Sequence, residues 1–197
     1  MSNTHYSAKC GAQPLFAPVE EAELLRFEAT LIRKLPDEYR AFLLEWNGVR
    51  FKGEFVAYPI QPLQDHSPDV PTWDKWVPSA QRTIHDNIDT AATLYGLGSN
   101  HRDSLWVTRS TAELNMWYPK RFLAIGNSVE DMEIGQLLIS LDEPDRGHVF
   151  SFAFPVDPPE LGVNYPSMDF MWWTAPSFEH FWSSLRGMSE EEYREWR

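Results

Sequence analysis

Apolar residues recur at helical spacing in the first quarter of the chain and at strand spacing through its middle. Tyr39, Phe42, Leu43 and Trp46 stand at i, i+3, i+4 and i+7, one stripe on an α-helix and therefore a core face. Pro36 suits a first helical turn, where its missing N–H costs nothing, and Asn47-Gly48 offers the left-handed residue that commonly closes a helix. A preceding helix is predicted over residues 20–34. It carries Leu24, Leu25, Phe27, Leu31 and Ile32 on one broad sector, with acids first and Arg33-Lys34 last, as the helix dipole favours. The residue before a proline is pushed out of the α region, so Leu35-Pro36 reads as a tight elbow between the two helices.

After Gly48 the period changes. Residues 49–60 suggest a strand or bent hairpin stopped by Pro59 and Pro62, and residues 91–97 a buried strand. Short helices are predicted over 79–87 and 111–117. Residues 122–125, 136–141 and 148–154 are three β-type runs; the last two flank the six-residue loop 142–147, as in a hairpin, and predict an antiparallel meander. Residues 155–170, with four prolines, predict an irregular connection. Phe178, Phe181, Trp182 and Leu185 repeat the helical stripe, with Gly187 as its stop, and Ser189 with Glu192 has the spacing of a capping box for a last acidic turn. Helices, then strands, then a helix indicate an α+β fold with the helices packed on one sheet.

Charge alters the functional picture more than the fold. The 197 residues carry a net −12 and a pI of about 4.9, which disfavours nucleic acid, since phosphate binding needs clustered Lys and Arg. Between residues 127 and 178 there are nine acids against one base, Arg146, a net −8. Such a field steers a cationic partner toward the protein. Cys10 has no second cysteine to pair with, and the polar N-terminus lacks the apolar core of a secretory signal, which fits a cytoplasmic location. No apolar run is long enough to cross a bilayer, so no membrane role is expected. Residues 1–17 lack a period and are expected to form a loosely ordered arm before one domain, 18–197, with a long insertion around 61–90.

Catalytic signatures are missing from the sequence. The six histidines show neither HxxxH nor HExxH spacing, there is no CxxC, and no phosphate-cradling glycine motif is present. No catalytic residue, metal or cofactor is therefore expected, and a binding protein is favoured over an enzyme. The residues singled out for partner contact are the acids and tryptophans of the irregular and acid-rich stretches: Asp69, Trp73, Asp74, Trp76, Glu130, Asp131, Glu133, Trp172 and Trp173.

Several pieces together resemble the SUKH superfamily: Leu35-Pro36, Tyr39, Phe42, Leu43 and Asn47-Gly48, then LYGLG at 94–98, PKRFLAIGNS at 119–128, GQLLISLD at 135–142, GHVF at 147–150 and SFEHFW at 177–182. The resemblance covers roughly residues 20–186. It implies an N-terminal helix pair and a C-terminal helix packed on a central mixed, largely antiparallel β-sheet. Bacterial members resemble immunity proteins that neutralise a toxin domain, often a nuclease, and fungal members resemble regulators of cell-wall synthesis. The resemblance thus implies a protein partner, here a basic toxin domain, with a regulatory or scaffolding module as the alternative; monomer and weak dimer both stay open.

Overall fold

A computed structural model describes residue 6 and residues 9–52, 55–62, 88–91, 93–98, 101–110, 118–127, 135–152 and 171–196. Within these the chain runs β1 (Ala12–Pro14), α1 (Glu21–Glu28), α2 (Asp37–Trp46), β2 (Val49–Phe51), β3 (Phe55–Pro59), β4 (Gln61–Pro62), β5 (Ile88–Ala91), β6 (Thr93–Leu94), α3 (Leu105–Ser110), β7 (Phe122–Asn127), β8 (Gln136–Ser140), β9 (Val149–Phe152), β10 (Met171–Ala175), α4 (Phe178–Ser184), β11 (Arg186–Met188) and α5 (Glu190–Trp196). The predicted helices at 79–87 and 111–117 and the irregular connection at 155–170 lie outside the described residues.

The fold is α+β. Eight strands form an antiparallel sheet in the order β1-β2-β6-β7-β8-β9-β10-β4, and its centre is the predicted meander. Strands β7, β8 and β9 are buried along nearly their whole length, which is why their sequences are apolar runs without clean alternation. Two of their polar side chains are paired: Tyr118 Oη donates to Gln136 Oε1 at 3.2 Å, and Ser140 Oγ to Asp145 at 2.9 Å.

A second, three-stranded sheet, β11-β3-β5, differs from the single sheet expected. The run 49–60 is neither one strand nor a hairpin: β2 pairs with β1 and β6, whereas β3 pairs with β11 and β5. A period of two tells which face a side chain takes, and not which neighbour its strand adopts. Helix α4 joins the parts. Phe178 packs against Phe42 of α2 (ring centroids 4.8 Å apart), and Phe181 meets Tyr58 of β3 edge-on at 5.3 Å. Each such buried ring contributes about 1.5–3 kcal/mol.

The first helix ends earlier than its apolar sector suggested. Past Glu28 the turn tightens, with Thr30 N–H bonding Phe27 O, Leu31 N–H bonding Glu28 O and Thr30 Oγ1 also donating to Phe27 O. Leu24 and Phe27 are fully buried, but Leu25 (49%) and Ile32 (46%) are exposed. The elbow is accordingly a short connection, residues 29–36, rather than a direct joint, and the buried Glu28 carboxylate holds it by accepting from Leu35 N–H at 3.2 Å. Helix α4 likewise stops at Ser184, before Gly187, because residues 186–188 are drawn into pairing with β3. The capping box forms as predicted: Ser189 N–H donates to Glu192 Oε2 (2.8 Å) and Glu192 N–H to Ser189 Oγ (3.1 Å). The Ser189 N–H above all, with the Ser189 hydroxyl and the Arg186 charge adding to it, holds the Glu192 carboxyl below its usual range.

The C-terminus of α2 is the tightest joint. Asn47 takes the left-handed conformation (φ 49°, ψ 53°), and its side chain spans two segments. Nδ2 donates to Ala17 O and to Leu97 O (3.1 Å), while Oδ1 accepts from Leu97 N–H (2.7 Å). Gly48 follows at φ +82°, and a Cβ on Gly96 would stand 2.1 Å from Asn47 O. The Asn-Gly pair and the Tyr-Gly-Leu-Gly stretch are therefore two halves of one contact.

Residues 9–17, expected as part of a loose arm, lie against the body. Ala12–Pro14 pairs with β2, Leu15 N–H bonds Gly48 O at 3.0 Å, and Tyr6 is 3% exposed. An edge strand and one buried aromatic suffice to tie down a segment that has no period of its own.

Candidate functional site

The N-terminus of α2 is built differently from its C-terminus. Pro36, Asp37 and Glu38 meet the β8–β9 loop at Glu143, Arg146 and Gly147 and the start of α4 at Pro176 and Ser177, around a cleft of about 310 Å³. Arg146 fixes its floor, one guanidinium nitrogen donating to Leu141 O (2.8 Å) and another to Leu35 O (3.0 Å), so the loop is bound to the elbow. Asp145 turns away to Arg121 (2.8 Å). Ser177 caps α4 by accepting from His180 N–H (3.1 Å), and Glu38 accepts from Glu179 N–H (3.0 Å), which clasps α2 to α4.

Three carboxylates, Asp37, Glu38 and Glu143, thus line a cleft whose single cation is committed to backbone carbonyls. Next to Glu38, burial pushes the Tyr6 phenol well above its usual range, and the charges of Glu38, Glu179 and Glu45 push the same way, so the phenol stays neutral. Beside the cleft, His148 stacks on Trp173 (5.8 Å, 29°). Burial lowers the His148 pKa, opposed by Asp145, so the ring favours its neutral form. Such a site offers acceptors and an aromatic flank to a cationic group. Among the described residues no cluster of His, Cys, Asp and Glu suits a metal ion.

Of the residues singled out in the sequence, Asp69, Trp73, Asp74, Trp76, Glu130, Asp131 and Glu133 lie outside the described residues. Trp172 and Trp173 stand in β10, each half-buried against the core. Adjacent strand residues face opposite sides of a sheet, so the pair does not form one patch. Trp173 takes the side of His148 and donates Nε1–H to Ala175 O at 3.1 Å, while Trp172 lies opposite Ser151 and Pro62 in the ladder. Asp37, Glu38 and Glu143 were missed as site residues. The first two read as ordinary helix-start acids and the third as a hairpin loop; only the sheet topology brings loop and elbow together, and no local pattern signals it.

A family model, the SMI1 / KNR4 family (SUKH-1), matches residues 18–184. The chain belongs to that family. Its members are generally binding or immunity modules without catalysis, and membership implies protein–protein interaction. No curated protein and no solved structure matches the chain. No helix among the described residues is long and apolar enough to cross a membrane. The residues that carry the resemblance in the sequence, Leu35, Pro36, Tyr39, Phe42, Leu43, Asn47 and Gly48, are all buried, so the resemblance is one of packing.

Proposed function

We propose that this protein is an immunity protein of the cytoplasm, which binds a basic toxin domain, of nuclease type, and neutralises it by covering its active site. The observation that carries the reading is the convergence of Asp37, Glu38 and Glu143 on one preorganised cleft in a protein of net charge −12. A nuclease cleft must attract phosphates and is therefore basic; an acidic inhibitor competes for the same field, with complementary charge supplying speed and specificity. Trp173 and His148 provide the aromatic edge that interface anchors commonly use. In this reading the acid- and tryptophan-bearing stretches with Asp69, Trp73, Asp74, Trp76, Glu130, Asp131 and Glu133 extend the contact.

The test is co-expression with any basic toxin domain that a neighbouring gene encodes. Rescue of growth together with co-purification supports the proposal. No rescue, combined with stable capture of an endogenous partner, favours the regulatory or scaffolding module instead. Occlusion also predicts that association weakens as salt rises, because screening shortens the reach of the field.

A further inference from the structure

The joint at the C-terminus of α2 requires two particular residues, and together they are the dipeptide in which asparagine deamidates most readily. Asn47 sits at φ 49°, ψ 53°, a left-handed conformation that asparagine tolerates better than most residues. Gly48 follows at φ +82°, and a Cβ there would stand 2.7 Å from Gly96 N and 2.9 Å from Leu94 O. The fold thus demands Asn-Gly, and the chain holds this pair once, at 47–48. In an unfolded chain the same pair is chemically labile. The Gly48 amide nitrogen attacks Asn47 Cγ; the new N–Cγ bond forms, the Cγ–Nδ2 bond breaks, and ammonia leaves with the proton of the attacking amide. Water then opens the cyclic imide at either carbonyl, giving an aspartyl or an isoaspartyl linkage. A side chain on the following residue would shield the attacking nitrogen, and glycine has none.

The folded joint blocks that reaction in two ways. Ring closure needs Cβ and the Gly48 nitrogen eclipsed about the Cα–C bond, and at ψ 53° an L-residue holds them nearly anti. The leaving amide is held as well: Nδ2 donates to Ala17 O and to Leu97 O (3.1 Å), and Oδ1 accepts from Leu97 N–H (2.7 Å), in a residue 2% exposed. Attack therefore requires the joint to open. Once it has occurred, the joint cannot close as before. An aspartyl product sets carboxylate oxygens against Ala17 O and Leu97 O, acceptor facing acceptor in a buried site. An isoaspartyl product lengthens the main chain by one carbon between segments already in contact. We propose that Asn47-Gly48 is a self-modification site, silent in the folded protein, that irreversibly marks molecules whose α2 joint has opened. Water is the only co-reactant, so the inference does not depend on what the cleft binds.

Peptide mapping by mass spectrometry, after incubation of the full chain at mildly alkaline pH, tests this. In urea above the unfolding transition Asn47 should deamidate; without urea it should do so at least about a hundredfold more slowly, the factor by which opening of a buried joint is disfavoured. When urea is removed, chains modified at Asn47 should be depleted from the folded fraction while unmodified chains in the same sample refold. Equal rates with and without urea would overturn the proposal, as would modified chains that refold to the stability of the parent. Asn47→Asp reproduces the aspartyl product and adds a reading through pH. Burial without donors raises a carboxyl's folded pKa above its unfolded value, so the variant's deficit relative to the parent should shrink as pH falls and a protonated carboxyl again offers a donor to a carbonyl. A deficit that ignores pH would mean that the joint does not reject the buried charge, and would overturn the marking step. If Asn47→Asp does not fold, the rate comparison on the parent still decides.

Discussion

The two ends of α2 differ in how they spend their polar groups. At the C-terminal end every hydrogen-bonding atom of the Asn47 side chain is used by buried backbone, and two glycines let main chains meet where a Cβ would collide. At the N-terminal end Asp37, Glu38 and Glu143 surround a cleft, and the one cation there, Arg146, spends its donors on Leu141 and Leu35. Satisfied polar groups specify a fold. Acceptors left facing a cleft are what a partner can use.

Substitutions at the first end should therefore be severe and independent of any partner. Gly96→Ala would drive a Cβ to 2.1 Å from Asn47 O and 2.5 Å from its carbonyl carbon, a backbone group that has no flexible end to move aside; a loss of about 4 kcal/mol or more is expected, measured by urea unfolding. Asn47→Ala removes two donors and an acceptor from buried backbone and puts a side chain with no compensating bonds at positive φ. About 3 kcal/mol should be lost. If either variant were near wild type, the contrast between the two ends would collapse.

The same contrast explains what could be read from sequence. Stripes at i, i+3, i+4 and i+7, the Asn-Gly closure and the Ser189–Glu192 capping box are local rules, so α2, α4 and the start of α5 were legible, as was the β7–β8–β9 meander. The division of 49–60 between two sheets was not, because strand partners are set by distant residues. Nor was β10, whose Met171–Ala175 run follows a proline-interrupted stretch. The cleft was illegible for the same reason: residues 36–38, 143–147 and 176–177 are far apart in sequence, and nothing in any one of them announces the other two. Tyr6 was hidden because one aromatic in a polar segment has no period to reveal it.

A smaller effect should appear at the aromatic flank of the cleft. The fold favours neutral His148 because the ring is partly buried against Trp173, so the unfolded chain binds its proton more tightly. Its contribution to stability is fully present above the unfolded value of about 6.5 and is lost as pH falls through the lower folded value. His148→Phe keeps the stacking partner and removes the titration. Stability of the variant should depend less on pH between about 7.5 and 5.5 than that of the parent, compared by unfolding at matched pH. Partial solvent exposure keeps the difference modest.

The smallest stability change, and the sharpest separation of the two ends, is expected from Asp37→Asn combined with Glu143→Gln. Both side chains are exposed, and Asp37 gives α2 only the dipole contribution of a first-turn acid, so the pair should cost about 0.5 kcal/mol. Binding should respond far more than folding. With a basic toxin domain as partner, loss of two charges from the cleft should slow association about threefold to tenfold at low salt and flatten its salt dependence, read by stopped-flow mixing. Unchanged association with an equally small stability loss would leave Asp37 a first-turn acid and Glu143 a loop residue with no part in binding, and the contacts would then have to come from the stretches around Trp73 and Glu130.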